Sequence, residues 1–485
     1  MSNIKAFKSA VKILPILGTD IYLLFRLHFI NSLEFAKLIY SRRLIYLKSQ
    51  LQNSLNVSDE IWIRKTELPQ SSDLTVVSQR VARDALNQSA HQADLNSNHD
   101  VAQSNFKEAG QIAIDLLSGF GLNNIGFSFV GTEITKSIGH TAKCLSLRQK
   151  ILDLHPEIEH KFLITSDNSP NRNFLSYWYK FFPRFDVNPY TELIVEKEMW
   201  PFYEAVSSVA IANSSIPLFE AHDRYSRSWE TLQKEPLLEL SQDDRKFGFE
   251  FLSQHGFETL GNGKFITIHV RNSNTWNNGR LISSSSGRNA EISTYQNTIT
   301  FLLDLGYFVV RIGDRDQSSL NDNPRLIDYT KVNSQIDRLN TFFLAECEFL
   351  IGTNSGPICV PPAFGRRVLM TNAPSIAQTA YFTNSLMLPK LVYDNQDNIL
   401  TLDEMIDCGA GWSDTTIRGT ESTNFRWRNN SPDEILDAVM ELLEKPSIET
   451  SDLRETFERK IKRHGSVATA NISVSFLKSW KSRLL

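Results

Sequence analysis

The chain has 485 residues and a formal net charge of -4, with 41% hydrophobic and 22% charged residues. That balance belongs to a folded, globular chain and excludes a generally basic nucleic-acid binder, while the length exceeds one ordinary core and implies more than one packed unit. Cys144, Cys347, Cys359 and Cys408 form no CxxC pair. This argues against a structural zinc site or a disulfide framework and fits a reducing compartment.

The first fifty residues are basic: Lys5, Lys8, Lys12, Arg26, Lys37, Arg42, Arg43 and Lys48 outnumber Asp20 and Glu34. Lys12, Pro15, Asp20 and Arg26 interrupt the apolar runs, so no stretch reaches the ~20 residues of a membrane span, and no secretory signal is formed. Two readings follow. The segment lies on the anionic inner face of the plasma membrane as a peripheral contact, or it packs as helices on the body of the protein, which is preferred because such helices are often merely solvated on one face. Residues 51–110 fade into a polar stretch at Leu86–Asn105, a linker closing an N-terminal extension over 1–110. His91 and His99 there lack partners at metal-ligand spacing.

From Gly121 a strand and helix rhythm begins. A strand is predicted at 123–131 and a helix at 137–154 after a glycine turn. His140 then stands at a helix N-terminus, where free N–H groups and the dipole favour a neutral imidazole able to act as a base; a capping or packing histidine is the other reading. A strand at 161–165, an aromatic helix at 174–183 and a strand at 185–195 complete a first unit over 111–236.

The second unit, 237–430, is clearer. A helix over 237–257 has Ser241 as N-cap and ends at Gly256. Lys264–Val270 reads as a strand buried on both faces, and it runs straight into Arg271, Asn272 and Asn274. A strand-end guanidinium suits a diphosphate, since its planar fork matches phosphate oxygens; a surface ion pair with a polar loop is the alternative. Arg288 and Asn289 precede a helix closed by Gly306, facing the same ligand, with Asn289 also a candidate N-cap. Strands at 307–314, 348–356 and 366–372 and a helix at 335–347 follow, which is the alternation of a doubly wound parallel sheet. Three loops, His269–Asn274, Arg311–Asp314 and Thr353–Asn354–Ser355–Gly356, should meet along one sheet edge. No GxGxxG and no P-loop is present, and no Asp-x-Asp ends a strand, so neither dinucleotide chemistry nor a bound metal is expected. The acids at 402–407 read as a solvated helix start. Ser431 and Glu434 form a capping box for a helix from 432 to about 444, and the basic, amphipathic 452–485 folds back on the body within a C-terminal helical segment, 431–485.

HVRNSN at 269–274 and LAECEFLIGTNSG at 344–356 resemble the paired motifs of fucosyltransferase-like glycosyltransferases. With SIGHTAKCLSLRQKIL, GRNAEISTYQNTITFLLDLGYFVVRIGD and LIGTNSGP, the longer pattern over roughly 120–445 is similar to an uncharacterised bacterial glycosyltransferase family tied to surface-polysaccharide loci. The resemblance implies an α/β, GT-B-like fold: two facing Rossmann-like domains behind a helical N-terminal extension, with a nucleotide-sugar donor held mainly by the second. It implies cytoplasmic, inverting, metal- and cofactor-free sugar transfer to a glycan or lipid-linked acceptor. Arg271 would contact the donor diphosphate, His269 would shape the pocket, and Asn354 and Ser355 would bind the distal phosphate or the sugar. Asn274, Arg288, Asn289, Arg311, Asp314, Thr353 and Gly356 complete the expected donor site. Asn272 and Asn274 depart from the second Arg and acid usual in fucosyltransferases, which weighs against GDP-fucose. His140 is the candidate base; Asp314 competes, but suits pairing with Arg311 or ribose hydroxyls better. The alternatives are an inactive nucleotide-sugar-binding assembly subunit, and an epimerase or hydrolase of the same fold.

Overall fold

The computed structural model describes 125–157 apart from 131 and 136, and then 159–164, 170–182, 208–211, 214–257, 264–271 and 287–314, without the side chains of 125–133, 159–164, 208–211 and 214–219. It continues through 322–332, 336–376, 384–408, 425–444, 451–463 and 471–485, with isolated residues elsewhere. The basic segment, most of the polar linker, the strand expected at 185–195 and the 272–286 loop with Asn274 lie outside the described residues.

Strand β1 (Ile125–Val130) runs parallel to β2 (Glu159–Ile164), with helix α1 (Ile138–Leu154) between them. Parallel neighbours need such a crossover, and the Ser137 cap supplies its start. The Ser137 hydroxyl accepts from the His140 amide at 3.5 Å, and α1 begins one residue after the cap. Strands β3 (Ser208–Ile211) and β4 (Ser214–Pro217) form an antiparallel pair, which leads into helix α2 (Leu218–Thr231). Neither this pair nor α2 was signalled by the sequence. The aromatic helix is shorter than predicted: it spans Arg172–Ser176 and continues as turns, with Phe174, Trp178 and Phe182 fully buried. Those aromatics are core.

Helix α3 (Gln242–Gln254) starts where Ser241 accepts from the Asp244 amide at 3.1 Å and stops at Gly256, whose φ is 93°. There follow β5 (Phe265–His269), α4 (Gln296–Asp304), β6 (Phe308–Ile312), β7 (Leu326–Asp328), α5 (Asp337–Glu346), β8 (Phe349–Thr353), β9 (Arg367–Ala373) and β10 (Leu386–Pro389). All six strands are parallel and lie in the order β10-β9-β8-β5-β6-β7. Phe265, Ile266 and Ile268 are no more than 1% exposed, and each such side chain contributes about 1.5–3 kcal/mol by leaving water. That is why the central strand is legible as a continuous apolar run.

Strand alternation assigns the two faces. Thr267 donates its hydroxyl to the Phe343 carbonyl of α5 at 2.7 Å, while Thr371 meets Tyr295, just ahead of α4, at 2.5 Å. The register places Thr267 beside Leu350, and Thr353 beside Thr371, on opposite sides. Helix α3 packs with α5 on one face, and α4 with α6 (Pro432–Glu444) on the other. Strands β11 (Leu391–Asp394) and β12 (Phe425–Arg428) form a separate antiparallel pair. The Ser431 and Glu434 capping box is formed, with bonds of 2.8 and 3.2 Å. The C-terminal segment does fold back: the Ile472 strand fragment bridges Met387, and Arg454 in helix α7 (Asp452–Arg463) donates to the Ile472 carbonyl at 2.7 Å.

Candidate functional site

Counted from β5, the strand order is 3-2-1-4-5-6, so successive connections leave β5 toward β6 on one side and return to β8 on the other. Between the carboxyl ends of β5 and β8 the connections diverge, which makes this the switch point where open parallel sheets bind their ligands. Two of the three predicted loops meet at this point. His269 ends β5 and Thr353 ends β8, with Gly352 paired to His269 in register.

The two loops are bonded to each other. Ser355 Oγ lies 3.0 Å from His269 Nδ1, and the Arg271 amide donates to Thr353 Oγ1 at 3.0 Å. The Arg271 carbonyl accepts from the Ala290 amide at 3.0 Å, so the 287–290 segment is stitched to the same strand end. Burial, with the positive charges of Arg271 and Arg311, holds the His269 imidazole down at about 4. It is therefore neutral at pH 7, and Arg271 supplies the cationic charge at this point of the edge. Asn354, Ser355 and Gly356 are part-buried.

Helix α1 delivers its N-terminus to this edge. A Cβ built on Gly139 would lie 2.6 Å from Gly356 Cα, and one on Gly356 would lie 2.9 Å from Ile138 Cγ2 and 3.1 Å from the Gly139 nitrogen. Only paired glycines allow this approach of backbone to backbone. His140, the next residue, is exposed beside the contact. Helix α1 thus touches the loop carrying Ser355, and His140 and Ser355 flank the contact.

The remaining expected residues are placed differently. Arg311 does not reach the edge: it is 1% exposed and bonds Asp328 across the β6–β7 register at 3.0 Å. Its acid is Asp328 rather than Asp314, which is exposed beyond Gly313. Asn289 is not an N-cap, because Tyr295 precedes α4 and Glu291 precedes the short 3-10 turn before it. Instead its carbonyl accepts from Lys390 Nζ at 2.7 Å, and Lys390 also donates to Asn429 Oδ1 at 2.6 Å. Arg288 lies part-buried beside it. Lys390 is 4% exposed, and burial lowers its ammonium to about 7. Nothing in the sequence marks it; a lone lysine reads as surface. Beneath the edge, Asn372 donates to Tyr295 Oη at 3.0 Å, and Asn372 and Asn430 exchange amide bonds of 2.6 and 2.8 Å. These buried, satisfied groups hold the ends of β9 and β10 in place.

Among the described residues no group of His, Cys, Asp and Glu is arranged to hold a metal ion, and no helix is long and apolar enough to cross a membrane. No family model matches the chain, and no curated protein does. Among solved structures, it is similar to the E. coli ADP-heptose lps heptosyltransferase II at 12% identity and a TM-score of 0.35, over 66% of this chain and 99% of that one. It is similar to a glycosyl transferase family 9 protein from Veillonella parvula at 13% identity and a TM-score of 0.35, over 67% and 98%. It is also similar to the E. coli heptosyltransferase WaaC with ADP-2-deoxy-2-fluoro heptose at 11% identity and a TM-score of 0.31, over 54% and 93%. At such identities and TM-scores these likenesses carry no weight for the chemistry of this chain.

Proposed function

We propose that the chain is a glycosyltransferase that moves a sugar from a nucleotide-sugar to a hydroxyl of a glycan or lipid-linked acceptor in surface-polysaccharide synthesis, with inversion and without a metal. The observation that carries this reading is the switch point between β5 and β8, where the Arg271 backbone is bonded to Thr353 and a neutral His269 to Ser355. In this reading residues 237–430 hold the donor and residues 111–236 the acceptor in a GT-B-like arrangement. The 1–110 extension packs on the body or contacts the inner face of the membrane, in the cytoplasm.

The reaction follows from the charges. The acceptor oxygen attacks the anomeric carbon, its proton passes to His140, and the bond from that carbon to the phosphate oxygen breaks with its electron pair left on the diphosphate. Arg271 meets that developing charge, and hydroxyls and backbone N–H groups of Thr353–Gly356 share it. Bonds at Thr353 and Ala290 set the backbone of Arg271 before the reaction, so its side chain starts from a fixed point of the edge. His269 contributes shape and hydrogen bonding and no charge. The test is release of nucleoside diphosphate from a nucleotide-sugar in the presence of a fractionated glycan or lipid-linked acceptor pool. Release that depends on the acceptor supports transfer; equal release without it indicates a hydrolase, and binding without release an assembly subunit.

A further inference from the structure

Lys390 is a buried basic group that the transfer chemistry does not use. It follows β10, and its root is fixed: the Lys390 amide donates to the Ala373 carbonyl at the end of β9 at 2.8 Å, and the Asn430 side-chain amide donates to the Pro389 carbonyl at 2.9 Å. Its side chain, 4% exposed, ends on two neutral acceptors, the Asn289 carbonyl at 2.7 Å and Asn429 Oδ1 at 2.6 Å. Arg311 and Arg454, by contrast, are buried on the carboxylates of Asp328 and Glu441. Among the described residues no carboxylate pairs with Lys390, and burial alone brings its ammonium down to about 7. Burying it costs free energy that no ion pair offsets, and what the side chain provides is N–H donors at fixed places.

What those donors hold leads to Arg271. The Asn289 carbonyl and the Ala290 N–H are the two polar ends of one peptide group, planar and trans. Lys390 takes the carbonyl end, and the Arg271 carbonyl takes the N–H end at 3.0 Å. Because C=O and N–H point in opposite directions across a trans peptide, Lys390 Nζ and the Arg271 carbonyl sit on either side of a single rigid plate. A hydrogen bond to the carbonyl also polarises the peptide group and strengthens its N–H as a donor. The Arg271 amide is bonded in turn to Thr353 Oγ1 at 3.0 Å. The strand end carrying Arg271 is thus tied to β8 by one bond, and to the ends of β9 and β10 by a relay through Ala290, Asn289 and Lys390.

We propose that Lys390 is a positioning residue for the donor: through the Asn289–Ala290 peptide group it fixes the Arg271 backbone, and so the point from which the Arg271 guanidinium reaches a nucleoside diphosphate. The relay stands on geometry; its service to a diphosphate rests on the transfer reading. Two acceptors match the two N–H groups of a neutral amine, so the relay needs N–H donors rather than charge. Glutamine, whose amide also offers two N–H groups, should therefore replace Lys390 better than methionine, which offers none.

The test takes two measurements on the full chain. Backbone amide hydrogen exchange at Ala290 needs no ligand: Lys390→Met should exchange there at least about tenfold faster than the wild type, the scale of one lost hydrogen bond. Lys390→Gln should lie between the two, and Arg271→Ala should keep Ala290 protected, because the accepting carbonyl belongs to the backbone. Affinity for GDP, UDP, CDP and ADP is then measured by isothermal titration in the wild type, Lys390→Met, Arg271→Ala and the double variant. For the diphosphate that binds best, Lys390→Met should weaken binding at least about tenfold while Arg271 is present, and less than about twofold once it is alanine. A residue that merely supports the fold would weaken both backgrounds alike. Unchanged exchange at Ala290 overturns the proposal. So does an equal loss of affinity in both backgrounds, or no loss in either; with binding lost in Arg271→Ala, those results leave the transfer reading standing. No diphosphate binding to the wild type, or equal binding by Arg271→Ala, brings down the transfer reading and this role of Lys390 together. If Lys390→Met does not fold, Asn429→Leu, which removes one of the two acceptors and keeps Lys390, enters the same cycle; smaller changes of the same sign support the relay, and none overturns it.

Discussion

The β5–β8 edge and the seam between helices α1 and α2 are held together in different ways. At the edge, Arg271 has its backbone bonded on both sides, to Thr353 and Ala290, and the His269 imidazole, held down at about 4, is neutral at pH 7. At the seam, Lys150 donates to the Ser226 hydroxyl at 3.1 Å, and His222 Nε2 is buried without a hydrogen-bond partner while the charges of Lys143, Lys150 and Arg148 oppose its protonation. The edge is tied by bonds between loops distant in sequence; the seam is held by the apolar packing of Leu147, Ile151, Ala221 and Tyr225. The two regions should fail differently when changed.

The largest effect is expected at the edge. Arg271→Ala should abolish transfer and weaken nucleoside diphosphate binding by about 2–5 kcal/mol, as when a desolvated charge loses its partner; isothermal titration reads it, and unchanged affinity would detach Arg271 from the donor. Acid sharpens the same contrast. His269 titrates near 6.5 when unfolded and at about 4 when folded, so the native state binds fewer protons between those values. Its contribution is intact above about pH 6.5 and is lost as pH falls toward 4, by roughly 3 kcal/mol in all. A His269→Asn variant should lose less stability than the wild type across that window, and parallel denaturant-midpoint curves would remove His269 as the cause.

His140→Ala should lower turnover by about a hundredfold or more while leaving donor affinity close to wild type. Equal turnover would place the base elsewhere. The smallest change tests the joint between the two regions: Gly139→Ala must displace Gly356, costing about 1–3 kcal/mol of stability as overpacking does. If Gly139→Ala melts like the wild type, the contact of α1 with the β8 loop is not tight in solution.

Much of residues 237–444 was legible because the signals there are local. Ser241, Gly256, Gly306 and the Ser431–Glu434 box mark helix ends by the bonds or dihedrals they form, and β5 announces itself by uninterrupted burial. Short elements escaped. Leu326–Asp328 spans three residues and β10 is LMLP, too brief for any periodicity, and missing β7 hid the acid that claims Arg311. So the convergence of strand-end loops was readable for β5 and β8, whose partnership follows from the parallel rule, and misjudged for Arg311. Contacts distant in sequence left no mark at all: Gly139 against Gly356, Lys390 on Asn289, and His222 among three cations are products of packing.

The central claim is that a nucleoside diphosphate binds at Arg271, at the β5–β8 switch point. Thermal unfolding of the wild type and Arg271→Ala with GDP, UDP, CDP, ADP and CMP tests it directly. The account predicts that at least one diphosphate stabilises the wild type and fails to stabilise Arg271→Ala; a shift of equal size in both proteins, or none from any nucleotide, would contradict it.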